Sequence, residues 1–261
     1  MPVFKKPPVV EVWIAFDFDP NENKREWDLE LVQQYVQQYA SDLPKLEAMH
    51  EKKIEFRETS PTELPKVVRH TVALKQVRIS DNAQSRFLQV ADDHIAYHVL
   101  KSTAGYPGYS TVRDETAGKL RDYIELFQPA RVRSAAIHYV DIVDIPRPPD
   151  GKIDMADYFI GSADLPENPF GAIANLSIQF LVQCPVDEGP LFLQLQSLPA
   201  PPESNVIRFR LDWHKHAVNV NTLDLTQVFA RLNVAHDYMR QCFCASLTPR
   251  TLALFEPIDN D

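Results

Sequence analysis

One run of this sequence has the residue types and spacing of a metal site. Asp212-x-His214-x-His216 sets a carboxylate and two imidazoles at every second position, and on a β-strand alternate side chains share a face. His236, in the helical pattern that follows, could complete such a site; no cofactor is expected, with a divalent cation as the alternative. The competing reading is a polar strand end facing water. Glu11, Asp17 and Asp19, with Glu55 and Glu58, offer the acids of a magnesium nuclease. They lack the lysine that such sites set beside the last carboxylate, because Arg57 and Ser60 stand two residues after Glu55 and Glu58. Asp92-Asp93-His94 pairs acid with base, as general-base chemistry needs. The run falls between two strand patterns, however, where Asp serves as a turn residue. His98 and His138 sit inside strand patterns, where half-buried, hydrogen-bonded histidines are the ordinary outcome.

A larger feature is a set of amides and guanidiniums in the last three strand patterns. Gln179, Gln183, Gln194, Gln196, Arg208 and Arg210 fall at alternating positions. Arginine and amide side chains with little lysine suit a surface that docks a protein partner, against the plainer reading of a solvated sheet face. Trp27, Tyr106, Tyr109 and Trp213 are candidates for the rim or wall of a pocket.

The motifs of common enzyme scaffolds are missing: there is no GxGxxG, P-loop, GxSxG, HExxH or paired CxxC. Cys184, Cys242 and Cys244 are too few and too irregularly spaced for a disulfide framework or a zinc knuckle. A formal net charge of −9, with Arg131/Arg133 and Arg208/Arg210 as the best basic pairs, disfavours nucleic acid. No apolar run reaches the roughly 20 residues of a membrane span, and the N-terminus lacks the apolar core of a signal peptide. A cytoplasmic protein is expected.

Stepping between these residues, 21 prolines against 7 glycines punctuate the chain into elements. Val9–Phe18 reads as a strand and Asp28–Tyr39 as a helix with Leu29, Val32, Val36 and Tyr39 on one stripe. Lys53–Glu58 reads as a short strand. Leu74–Ser80, Ser85–Val90 and Ile95–Leu100 form a meander with Asx-type turns. A helix follows from near Ser110 or Thr111, and the spacing of Thr111 to Asp114 resembles a capping box; then comes a long strand from Val132 to Ile145. After a short helix at Met155–Ile160, strands are expected over Ala174–Gln183, Leu191–Ser197 and Val206–Trp213, with Leu176, Ile178, Phe180 and Val182 buried. Asp224-x-x-Gln227 opens a long helix and Thr248-Pro249 a short last one. The expected class is α+β, with two related lobes that are each an antiparallel three-stranded meander followed by a helix. The first carries an added N-terminal strand–helix–strand. The boundaries are a lobe at 1–146, a Pro-rich linker at 147–152 and a lobe at 153–261, with one continuous domain as the alternative.

Three runs resemble a sporadically distributed bacterial and archaeal family of proteins of about 250 residues without known function. They are Pro7-Pro8-Val9-Val10-Glu11-Val12 with Phe16-x-Phe18; Arg86 to Tyr97 with Tyr106-Pro107-Gly108-Tyr109; and Arg133 to Pro146. Tyr139-Val140-Asp141-Ile142 departs from the family's usual pattern, which has Asn at the third position. The resemblance implies an accessory role near mobile or defence loci, with no catalytic residue to carry over. Together these readings give a non-catalytic binding protein acting through a protein partner. The alternative is a small-ligand-binding protein or a metal-dependent enzyme without a standard motif.

Overall fold

The computed structural model describes residues 3–21, 27, 29–57, 66–149, 153–161, 175–185, 189–217 and 219–258, with backbone alone for 52–57 and 66–72. Its elements are β1 (Val3–Phe4), β2 (Val9–Asp19), α1 (Leu29–Tyr39), β3 (Lys45–Arg57), β4 (Lys66–Ser80), β5 (Arg86–Ala91), β6 (His94–Leu100) and α2 (Tyr109–Phe127). Then come β7 (Arg131–Pro146), a 3-10 turn (Met155–Asp157), β8 (Ser177–Gln183), β9 (Pro190–Leu198), β10 (Val206–Ala217), α3 (Leu225–Ser246), α4 (Pro249–Ala253) and β11 (Pro257–Ile258). The class is α+β. Nine strands form one antiparallel sheet in the order β3-β4-β5-β6-β2-β7-β10-β9-β8, and β1 pairs separately with β11.

The sheet is continuous across the expected lobe boundary. Along β2 and β7, Ile14 pairs with Ile137, and β7 pairs in turn with β10 from Pro146↔Val206 to Ala135↔Ala217. Residues 1–146 and 153–261 therefore share a sheet instead of building one each. Within the sheet β4, β5 and β6 are antiparallel neighbours, as are β8, β9 and β10; α2 follows β6 in the chain and α3 follows β10.

Period-2 patterning makes the two faces different. Val12, Ile14, Phe16 and Phe18 point toward the helices and are almost fully buried. Phe18 stacks on Tyr123 of α2 (4.6 Å between centroids), Phe16 meets Phe229 of α3 edge-on, and Trp213 of β10 meets Phe243. Tyr35 of α1 packs on Tyr123 and Phe127. On the other face no described helix lies over the strands. Along that face one cross-strand row runs through all nine strands: Leu181, Phe192, His214, His138, Trp13, His98, Phe87, Ser80 and Lys45.

Several local expectations need correction. The third strand is far longer than 53–58, because β3 runs as a two-stranded ribbon with β4 beyond the reach of β5. Gly108, at φ +90°, caps α2 one turn earlier than Thr111; the Thr111 hydroxyl donates to Pro107 O at 3.1 Å and does not act as an N-cap. A positive φ there suits glycine, which has no Cβ to clash. Met155–Ile160 forms only a 3-10 turn over Met155–Asp157. In β8 neither side is buried: Phe180 and Val182, on the helix side, remain 40% and 38% exposed, and Leu181, on the helix-free face, 69%. Asp224 and Thr248 cap α3 and α4 as their patterns require. Asp28, Glu58, Ala174 and linker residues 150–152 lie outside the described residues, as does the Glu55 side chain.

Candidate functional site

The amide and arginine set shares the helix-free face. Gln179, Gln194 and Asp212 are paired across β8, β9 and β10; Gln196 lies opposite Arg210, and Arg208 and Gln183 fall on the same side. The two guanidiniums are already engaged, however. Arg208 donates twice to Asp144, at 2.7 Å each, and Arg210 twice to Asp212, at 2.7 Å each.

Those bonds also dismantle the metal constellation. Asp212 Oδ1 receives Arg210 and lies 3.3 Å from His138 Nε2, and Oδ2 receives Arg210. Burial pushes the Asp212 carboxyl up, but the His138 and Arg210 hydrogen bonds outweigh it and hold it below the usual carboxylate range. His214 and His216 sit beside it with rings 4.2 Å apart, and burial, reinforced by the neighbouring imidazoles, brings His214 down to about 4. His236 is on the opposite face of the sheet, stacked on Tyr109 at 3.8 Å. The four residues do not converge, and among the described residues no group of three His, Cys, Asp or Glu side chains is arranged to hold a metal.

The acids considered for nuclease chemistry are likewise distributed among separate partners. Glu11 meets His98 Nδ1 at 3.0 Å; Asp17 meets His94 Nδ1 at 2.8 Å and accepts from Ser134 at 2.6 Å; Asp19 accepts from Arg131 at 2.5 Å. Asp92 and Asp93 make the β5–β6 turn, whose carbonyls accept from Tyr123 and from the Phe18 amide.

The helix-covered face contains a different kind of site. A cavity of about 410 Å³ opens between β7, β10, α3, the Tyr106–Tyr109 loop and the N-terminal segment that leads into β2. That volume falls within the range of small-molecule sites. Three tethers position its walls. The Ile142 amide donates to Pro8 O at 3.0 Å, and the Lys5 and Lys6 amides donate to carbonyls of Glu256 and Phe255, which holds the N-terminal segment over the opening. Tyr109 Oη donates to Asn233 of α3 at 3.0 Å, and this joins the loop to the helix.

Strand periodicity then does something unusual. The inward register of β7 reads Ile137, Tyr139, Asp141, Val143 and Ile145, so a carboxylate enters an apolar row. Asp141 is 3% exposed and its Oδ1 has no hydrogen-bond partner. Trp213, diagonal to it on β10, is 2% exposed, and its Nε1 also has none. The indole lies near enough to favour the charged carboxylate, yet the two atoms do not meet in hydrogen-bond geometry. Burial dominates and lifts Asp141 to about 7; Trp213 opposes this and Asp212, behind the sheet, adds to it.

Beside this pair runs a phenol chain. Tyr106 Oη donates to Tyr139 Oη at 3.4 Å, and Tyr139 Oη lies 3.1 Å from His236 Nδ1. Burial holds His236 near 4 and pushes Tyr106 up to about 12, so at neutral pH both are uncharged. The wall therefore combines aromatic surface, neutral hydrogen-bonding groups, one buried carboxyl and the Arg240 guanidinium of α3.

Of the aromatics singled out in the sequence, Tyr106, Tyr109 and Trp213 all line this cavity, whereas Trp27 packs on Phe127 and donates to Leu74 O at 3.0 Å. Asp141 was marked in the sequence only as a departure from a pattern. The signal that would have found it is an acid in the inward register of a strand. Pro7–Val9, Tyr106–Tyr109, Tyr139 and Asp141, from all three runs that carry the resemblance, meet at this one cavity. No protein-family model matches the chain, and no curated protein matches it. No helix among the described residues is long and apolar enough to cross a membrane.

Proposed function

We propose that this chain is a binding protein whose ligand is a small organic molecule held in the β7–β10–α3 cavity, with no covalent step. One observation carries the reading. A buried acceptor, Asp141 Oδ1, and a buried donor, Trp213 Nε1, lack hydrogen-bond partners on two neighbouring residues that line an aromatic cavity. Leaving such groups unmade costs about 1–3 kcal/mol each, and a ligand that completes both recovers that free energy on binding. The accessory role implied by the resemblance is compatible with such a sensor or carrier, and the two meander-plus-helix halves read as related units that share one ligand site.

The test is a thermal-shift screen of small amines, amides, alcohols and heteroaromatics. Stabilisation by a ligand follows RT ln(1 + [L]/Kd), so a hit at 100 times its Kd adds about 2.7 kcal/mol. A Met239→Trp variant places an indole where the α3 side chain lines the cavity. Hits on the natural chain that vanish on this variant support the reading. Hits that persist unchanged, or a screen without any hit, contradict it.

A second reading, the docking of a protein partner, is favoured by β8. Its exposed Phe180, Leu181 and Val182 adjoin the Gln179/Gln194 row, and its outer edge pairs with no described strand. An extended segment of another protein would add a strand there. Leu181→Lys is then expected to abolish capture of that protein, while retained capture places the contact elsewhere.

A further inference from the structure

Resting on the small-molecule reading, we propose that the ligand is a planar cyclic amide, one that presents a ring N–H and an adjacent C=O on a single edge. The N–H donates to Asp141 and the C=O accepts from the Trp213 indole. The argument is one of complementarity. Asp141 and Trp213 line the same cavity from neighbouring strands, two positions out of register, and neither Asp141 Oδ1 nor Trp213 Nε1 has a partner in hydrogen-bond geometry. Diagonal neighbours across an antiparallel pair stand about 7–8 Å apart at the backbone, within reach of long and aromatic side chains. A group with only donors, such as an ammonium, leaves the indole unpaired; a group with only acceptors leaves the carboxyl unpaired. A vicinal N–H and C=O satisfies both, and hydrogen bonds to a charged group are the stronger kind.

The rest of the wall suits a flat ring. Tyr106, Tyr109 and Phe243 supply aromatic surface, and aromatic rings favour offset or edge-on packing against one another. His236 is already stacked on Tyr109 and neutral, so the charged side chains of the wall are Asp141 and Arg240, of opposite sign, which together suit a ligand without net charge. The class so defined includes pyrimidinones, purinones and quinolones; the cavity fixes the edge chemistry and the flatness.

Calorimetric titration at pH 8 with three matched probes tests this: 2-quinolone, which keeps both groups; N-methyl-2-quinolone, which loses the N–H; and 2-phenylethylamine, a cation. The expected order is 2-quinolone tighter than its N-methyl analogue by about tenfold or more, since the analogue leaves Asp141 unpaired. The preference is expected to vanish in Asp141→Leu, a substitution that removes a buried charge and therefore leaves the fold intact. Trp213→Phe keeps a ring but not the donor, and is expected to weaken both quinolones equally. Equal binding of the two quinolones, or tighter binding of 2-phenylethylamine lost in Asp141→Leu, overturns the cyclic-amide assignment while the cavity stays a ligand site. Failure of all three probes overturns the assignment too, and the broader thermal-shift screen then decides whether the binding reading falls with it.

Discussion

Asp141 is the residue on which most turns. Its carboxyl titrates near 7 in the folded chain against 3.8 when exposed, because burial penalises the charged form. A raised folded value means that the native state holds its proton more tightly than the unfolded chain does. The contribution to stability is complete below about pH 4 and is lost as pH rises through 7, by on the order of 4 kcal/mol over that window. Denaturant melts of the ligand-free protein from pH 4 to 8 are expected to show this decline, and Asp141→Asn is expected to flatten it. A wild-type curve that rises steadily to pH 8 and matches the Asn variant would show that the carboxyl is not buried as described. By contrast, the acid and arginines most prominent in the sequence are engaged within the molecule. Asp212 is paired with Arg210 and His138, and Arg208 with Asp144, whereas His214 Nε2 is buried without a hydrogen-bond partner.

The elements follow local rules where those rules act within the chain. Alternation in Val206–Trp213, the turn at Asp81, whose carboxylate accepts from the Ser85 amide, and the cap at Asp224 were all readable, since each rests on neighbours a few residues away. What was not readable depends on distant parts of the chain. β10 extends past Trp213 through Lys215 because the Lys215 ammonium, completely buried, donates to Gly189 O at 2.6 Å and His216 O at 2.9 Å. A lysine on an inward strand position has no such meaning until the β8–β9 connection is in place. This close approach gives a sharp expectation: a Cβ at Gly189 would stand 1.8 Å from His216 O, a backbone atom that cannot swing aside. Gly189→Ala is expected to cost about 2–3 kcal/mol or more, read as a lowered denaturation midpoint. An unchanged midpoint would mean that the β9 entrance does not pack against β10 as described. The same dependence on distant contacts hid the cavity, whose walls come from residues 3–9, 106–109, 139–141, 213 and 236–243. Sequence alone offered its aromatics one by one, without the fold that gathers them.

Taken whole, the molecule is organised by the β2–β7–β10 core of its sheet. Ile14 and Ile137 are completely buried and paired there, and every long helix packs on the same side. Cutting at the Pro-rich segment would separate β7 from β10 along twelve paired positions and expose both strands as raw edges. Calorimetric unfolding is therefore expected to show a single transition, and fragments 1–146 and 153–261 to be unfolded or aggregated when made apart. Two transitions, or a fragment with dispersed amide resonances, would restore the two-lobe description. The same geometry keeps two surfaces apart: an outer face where Arg208 and Arg210 are paired with Asp144 and Asp212, and a covered face whose cavity is lined by Asp141 and Trp213. The claim that this cavity is a ligand site is tested most directly by the three indole N–H resonances of the chain. On titration with 2-quinolone, or with any hit from the thermal-shift screen, the Trp213 signal is expected to move downfield as its donor gains an acceptor. Trp27, already bonded to Leu74 O, and Trp13, on the outer face, are expected to stay in place. A Trp213 resonance that stays fixed while the others shift would contradict the account.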